Sequence, residues 1–412
     1  MKKTLREDAD YIIRQAIHAV QPDSAVKRAL FDLKQVEGRT VVISFGKAAW
    51  QMAKAAKEVL SDRIDAGVII TKYEHSRGAI DPFCIFEAGH PVPDENSFLA
   101  TGYAANLVRS LTEKDLVILL ISGGGSALFE MPLCSTEELQ GITRQLLSCG
   151  ANIREMNTVR KRLSAVKGGK FAQMCYPASV YAIVLSDILG DPLDMIASGP
   201  TYPDSTTTAM CHDIVEKYGL DLTENIARLL EVETPKKCDN VRTVVNGSVK
   251  ELCFAAERVC KELGYETLML TSSMSCVARE AGSFIGSIAE QYAENKKSVA
   301  IIAGGETVVH LTGSGLGGRN QELALAAAEK ISGLKEVAVF SVGSDGTDGP
   351  TYAAGGFVDG ETKKKLADAG YRIEQVLEEN DSYHALEKCD GLIKTGATGT
   401  NVNDVAVVLI RR

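Results

Sequence analysis

The chain has 412 residues, 45% hydrophobic and 24% charged, with a formal net charge of −9 and 6% aromatic residues. That length exceeds what one hydrophobic core usually serves, so two domains are expected. The acidic balance argues against a nucleic-acid footprint, and a single tryptophan, Trp50, argues against an aromatic platform for sugars or bases.

Helical periodicity opens the chain at 4–20 and 24–33, without the apolar core of a signal peptide. Residues 41–45 read as a buried strand, which Gly46 and Lys47 hand over to a helix through about residue 60. Strands follow at 66–70 and 83–88. The rigid turn His90, Pro91, Val92, Pro93 then leads to Asp94, an N-cap for a helix ending near residue 111. The most apolar strand, 115–122, precedes helices at 136–149 and 152–166 and a strand at 180–187. A Gly-, Pro- and Asp-rich loop covers 189–204, and loops of that length are usually functional or disordered.

Two short helices lead to the polar stretch 231–240, the best linker, so the domains are placed at 1–238 and 239–412. The alternation then restarts. Strands are expected at 243–245, 267–270, 299–303, 308–311, 337–342 and 405–410, and helices at 248–263, 276–295 and 320–330. Strands alternating with helices indicate parallel sheets covered by helices, an α/β protein. Apolar runs fall short of membrane-spanning length. Ten cysteines and six histidines are dispersed, with no C-x-x-C. That pattern fits reduced thiols in the cytoplasm and singles out no His- or Cys-based metal site.

Glycine turns carry the chemical signal. Backbone without Cβ can approach an anion closely, and successive exposed N–H groups form a concave anion site. Gly46 and Lys47 lie where a strand meets a helix, so a phosphate there would meet helix N-terminal amides and a point charge. The spacing is not that of a Walker A loop, and a surface lysine at a helix start is the plain alternative. Gly123, Gly124, Gly125 and Ser126 follow a wholly apolar strand, where open α/β sheets bind ligands. Phosphate or ribose binding is the favoured reading. A nucleophilic Ser126 is the rival, but the G-x-S-x-G elbow is missing.

Residues 154–170 (REMNTVRKRLSAVKGGK) concentrate cations, with Arg160 and Lys167 two turns apart. They suit neutralisation of a phosphate or carboxylate, or else form a solvated basic helix. Asp187, at a strand end, is placed to bind Mg²⁺ or accept a hydroxyl proton, whereas Asp191 reads as a turn residue. Gly313, Gly315 and Gly318 formally satisfy G-x-G-x-x-G and precede Arg319, whose planar fork suits carboxylate or phosphate oxygens. Glu306, Asn320, Glu322, Asp345 and Asp348 would add a polar wall, although Asp348 could simply cap a turn.

Gly46, Lys47, residues 121–127 (ISGGGSA), 157–169, 186–200, 304–322, 343–348 and 398–404 (TGTNVND) run in order over nearly the whole length. At these positions the chain resembles the glycerate 2-kinase family with a MOFRL C-terminal domain. The resemblance implies two α/β/α domains, a Rossmann-like N-terminal one that binds nucleotide and a smaller C-terminal one with a mixed sheet, the active site in the cleft between them. It implies ATP- and Mg²⁺-dependent phosphorylation of D-glycerate to 2-phosphoglycerate, with the family's basic pair on Lys47 and Arg319.

Catalytic roles accordingly fall to Lys47, Arg319 and Asp187. Nucleotide contacts fall to Gly123, Gly124, Gly125, Ser126 and Lys167. Substrate contacts fall to Ser44, Arg160, Glu306 and Asn320, and metal binding to Asp187 and Asp345. The expected partner is the small hydroxy acid, with no nucleic acid or membrane and a homodimer left open. Two rivals stand beside this reading: an NAD(P)-dependent hydroxypyruvate or tartronate reductase, drawn from the formal G-x-G-x-x-G, and a non-catalytic nucleotide-binding regulator.

Overall fold

A computed structural model describes residues 4–186 and 188–412, so Asp187 lies outside the described residues. The chain divides into two compact units. One comprises residues 25–186 and 191–246; the other comprises the chain before residue 25, the short stretch ending at Gly190, and residues 247–412.

In the first unit the sheet runs in the order β3-β2-β1-β4-β5-β6 among the described residues. The strands are β1 (Thr40–Phe45), β2 (Ala66–Lys72), β3 (Phe83–Ala88), β4 (Leu116–Ile121), β5 (Ser179–Leu185) and β6 (Val241–Gly247). The pairs among β1 to β5 are all parallel. A parallel sheet is covered on both faces, which is why β1 and β4 are buried at every position and apolar at all but Thr40 and Ser44. Val42, Ile118, Leu120 and Ile183 pack under helices Pro22–Leu30 and Ala49–Leu60. On the opposite face Phe45 stacks on Phe129 at 4.2 Å, and Phe129 meets Phe171 edge-on at 5.0 Å. The chain builds outward from β1 to β3, then returns to place β4 on the other side of β1. The strand order therefore reverses between β1 and β4, the point at which sheets of this type take ligands.

The second unit holds a mixed sheet in the order β11-β10-β9-β12-β8-β7. Its strands are β7 (Glu266–Met274), β8 (Val299–Gly305), β9 (Val337–Gly343), β10 (Gly355–Asp359), β11 (Leu392–Ile393) and β12 (Asp404–Ile410). β7 and β8 are parallel, and β12 runs antiparallel to both β8 and β9. Alternate residues of β12 serve opposite faces: Ala406, Val408 and Ile410 join one core, Val405, Val407 and Leu409 the other. The second of these cores is closed by helix Val249–Glu262 and by the first helix of the chain, Leu5–Ala19. Ala9, Ile12, Ile13, Ala16 and Ile17 of that helix fall at helical spacing and are all buried.

Three expectations about elements change. The division between units falls after β6, not at 238/239, because β6 pairs into the first sheet while helix Leu5–Ala19 packs in the second unit. Residues 308–311 join no strand beyond a bridge between Val277 and Val308. The helix expected at 152–166 ends at Arg162, and Gly168 and Gly169 turn the chain through φ of 59° and 83° before helix Lys170–Cys175.

Gly46 lies at that reversal. It sits at φ 117°, and a Cβ there would land on the Ser122 hydroxyl and carbonyl. Gly46→Ala is expected to cost about 1–3 kcal/mol from backbone strain alone, with the clash added. Urea unfolding would check it, and an unchanged midpoint would refute this account of the turn.

Candidate active-site clusters

The loops after β1 and β4 are fastened to each other. Lys47 N–H donates to Gly123 O at 2.9 Å, and Ala48 N–H to Ser122 Oγ at 3.1 Å. Gly124, at φ 86°, allows a close fit: a Cβ there would meet His90 Cδ2 at 3.0 Å and Lys47 Cγ at 3.3 Å. Lys47 itself is exposed. Burial lowers the His90 pKa, and the positive charges of Lys47, Lys72 and His75 lower it further. Gly125 differs from its neighbours. It is buried, and a Cβ would meet Ala197 Cβ at 2.9 Å, so it serves helix packing.

Beside these loops, Ser126 Oγ lies 3.0 Å from Ser198 Oγ, which donates to Asn157 Oδ1 at 3.0 Å. The 198–199 segment is held from below, since Gly168 N–H donates to Ser198 O and Gly169 N–H to Gly199 O. The basic stretch then sorts itself. Lys161 is fully buried on Asp204, at 3.0 Å. Arg162 donates to Thr158 O and Thr206 Oγ1. Lys170 donates to the carbonyls of Lys161, Arg162 and Ser164. Lys167 is fully buried on Glu130, its pKa pushed down to about 8 mainly by burial. Arg160 remains: half-buried, one helical turn beyond Asn157, with a buried Nε that has no hydrogen-bond partner.

In the second unit Arg319 opens helix Arg319–Lys330. Its Nε and Nη2 grip Asp404 at 2.6 and 3.0 Å, and Nη1 donates to Glu306 at 3.0 Å. Three of the five guanidinium N–H groups are thereby used, leaving two for a ligand. Burial pushes the Asp404 carboxyl up to about 6 against the opposing pull of Arg319. Arg319 lines a cavity of about 620 Å³ together with Thr307, Gly317, Asp345 and Thr347.

The helix start in this cavity is not a pyrophosphate site. Asp348 puts its carboxylate there, accepting from the backbone N–H groups of Asn320 and Gln321 and from both side-chain amides. The glycines of the G-x-G-x-x-G run serve chain packing. A Cβ on Gly315 would overlap Asp381 and the Glu379 carbonyl, and one on Gly318 would overlap Asp348. The anion slot that a dinucleotide needs is filled from within.

Three expected ligand contacts are corrected by these partners. Ser44 is fully buried, its hydroxyl donating to Ala49 O. Lys167 is spent on Glu130. Asn320 is 1% exposed, held by Asp348 and by Ser341, which donates to its Oδ1. Conversely, nothing in the sequence pattern gives Asn157, Ser198, His90 or Asp404 a role. Ser198 stood in a loop already marked by composition, but nothing local ties Asp404 to Arg319. Asp345 is half-buried at the cavity wall and accepts from Thr347 N–H at 3.0 Å. Among the described residues no group of three His, Cys, Asp or Glu forms a ready-made metal site.

Comparison with known proteins settles the family. A domain of unknown function, DUF4147, matches residues 8–231, and the MOFRL family model matches residues 299–404. The D-glycerate 2-kinase of Thermotoga maritima is 51% identical over 99% of both chains. The chain belongs to the glycerate 2-kinase family. A glycerate 2-kinase from Pyrococcus horikoshii is 42% identical over 98% of this chain and 97% of its own. The crystal structure of the Thermotoga glycerate kinase superposes with a TM-score of 0.93, covering 98% of this chain and 99% of that one. A relative from Agrobacterium vitis, 37% identical over 97% of this chain and 93% of its own, carries hydroxypyruvate reductase as a provisional name.

The Arg319–Asp404 pair yields a pH signature. Once Asp404 is protonated, below about pH 6, the grip on Arg319 loses its charge. Glycerate-dependent ATP turnover is expected to decline on the acid side with that midpoint, and Asp404→Asn to be slow and flat over the same span. A wild-type rate constant down to about pH 5 would contradict the assignment.

Proposed function

We propose that this chain transfers the γ-phosphoryl group of ATP to the 2-hydroxyl of D-glycerate, releasing ADP and 2-phosphoglycerate. The observation that carries the reading is Lys47, exposed and fastened over Gly123 where the sheet order reverses, in a chain 51% identical to a D-glycerate 2-kinase. Phosphoryl transfer depends chiefly on positioning and on neutralising charge, so cations and backbone donors can supply most of the catalysis.

Lys47 and the amides of Gly123, Gly124 and Ser126 are assigned to phosphate oxygens. Arg160, with its unpartnered Nε, is assigned to the glycerate carboxylate, and the Ser126–Ser198–Asn157 hydroxyl and amide chain to its hydroxyls. Arg319, presented by Asp404 and Glu306, offers two N–H groups to the transferring group. Asp345 would hold Mg²⁺, which when bound screens phosphate charge; Asp187, outside the described residues, is assigned to the metal or to the departing hydroxyl proton. The described helices include none long and apolar enough to cross a membrane, and the ten cysteines are free, which supports a cytoplasmic location.

Lys47→Ala and Arg319→Ala are each expected to reduce turnover at least about a hundredfold, the scale of a lost electrostatic donor. Phosphorus NMR of the product should show 2-phosphoglycerate. In thermal shift, ADP with Mg²⁺ should stabilise the wild-type chain and NADH should not. Stabilisation by NADH alone would revive the reductase reading, and near-normal turnover of both variants would remove the assigned roles.

A further inference from the structure

The glycine loop before Arg319 is moulded on residues 379–383. Asn380 is its keystone: 5% exposed, at φ 54°, just ahead of helix Ser382–Lys388. Its Oδ1 accepts from Thr312 N–H at 2.7 Å and Gly313 N–H at 2.9 Å. Its Nδ2 donates to His310 O at 3.1 Å and Glu322 Oε2 at 3.2 Å. Both lone pairs and both N–H groups of the carboxamide are therefore used. On either side, Gly315 N–H donates to Glu379 O and Leu316 N–H to Asp381 Oδ1, while Tyr383 N–H donates back to Leu316 O.

What this scaffold leaves unbound is informative. Among the described residues the amides of Ser314, Gly317 and Gly318 have no hydrogen bond, and all three residues line the cavity beside Arg319. Glu322 anchors the scaffold from the helix that Arg319 begins. It is 2% exposed, with Oε2 on Asn380 and Oε1 3.6 Å from Arg279 Nε. Burial raises its pKa, while the Asn380 hydrogen bond and the Arg279 charge pull it the other way.

We infer that Asn380 is a positioning residue for phosphoryl transfer: it holds the 312–318 loop so that Arg319 and the unbound loop amides keep one geometry at the cavity. The inference rests on the kinase reading above. Asparagine suits the place on two counts, since it tolerates the left-handed backbone and supplies donors and acceptors together. Alanine would confound strain with lost bonds. Asn380→Gly keeps the backbone relaxed and removes only the side chain. Asn380→Asp keeps the acceptor for Thr312 and Gly313 but sets a second carboxylate against Glu322. Glu322→Gln, added to Asn380→Asp, restores a donor between the two side chains and removes the repulsion.

The experiment measures kcat, both KM values and hydrogen exchange of the 310–318 peptide in wild type, Asn380→Gly, Asn380→Asp, Glu322→Gln and the Asn380→Asp/Glu322→Gln pair, each checked for folding by circular dichroism. Asn380→Gly should lose at least tenfold in kcat with the loop exchanging at least tenfold faster. Asn380→Asp should fall comparably, and the pair should recover at least fivefold over it, a coupling that independent sites would not show. A kcat within twofold of wild type in folded Asn380→Gly, or a pair no better than Asn380→Asp, overturns the inference. A wild-type chain inactive on glycerate defeats the kinase reading instead, and unchanged loop exchange in Asn380→Gly would still overturn the proposed hold.

Discussion

Backbone approaching backbone at distances no side chain permits is the constraint on which both units depend. Gly46 against Ser122 lets the loops after β1 and β4 share hydrogen bonds, and only that sharing brings Lys47 over Gly123. In the other unit, Gly315 lies against Glu379 and Asp381, and Gly318 against Asp348, so the loop reaches Arg319 along a fixed track. Entropy lost in ordering these glycines is offset by burying apolar strands on both faces of each sheet, which leaves strand ends rigid enough to carry polar groups.

Charge is organised by subtraction. The chain is acidic as a whole, and most cations of the 160–170 stretch are taken into internal pairs or used to close carbonyls. Burying a paired lysine contributes little net stability, but breaking such a pair is costly, so these groups define a frame. Among the described residues of 160–170, Arg160 is the cation whose side chain enters no such pair, and Lys47 stands exposed at the end of β1. Arg319 follows a third pattern, gripped on one side by two carboxylates so that its remaining donors point from a fixed plane.

Local signals made much of this legible in advance. Apolar runs marked β1, β4, β8, β9 and β12, and glycines following strands marked the Gly46 and Gly123–Gly124 turns. Basic character marked the 154–170 stretch, but not which cation stays available. Lys167 finds Glu130 37 positions away, and Arg319 finds Asp404 85 positions away. Neither partner is implied by spacing, because each is supplied by a different element of the sheet or its loops. The formal G-x-G-x-x-G misleads for the same reason: its pattern describes a tight turn, while the identity of the anion at the helix start depends on Asp348 from a separate loop. Helix Leu5–Ala19 displays an apolar stripe in sequence, yet the stripe cannot say which sheet it will cover.

That last placement affects how the molecule is made. Helix Leu5–Ala19 is translated long before the surface it covers, which is built from residues 249–260, β8, β9 and β12. Everything from residue 25 to 246 that forms the first sheet emerges in between. A nascent chain therefore completes its inserted lobe while helix Leu5–Ala19, with five apolar side chains on one side, still has no native surface to occupy. During elongation that apolar side stays open to chaperones until β12 completes its berth.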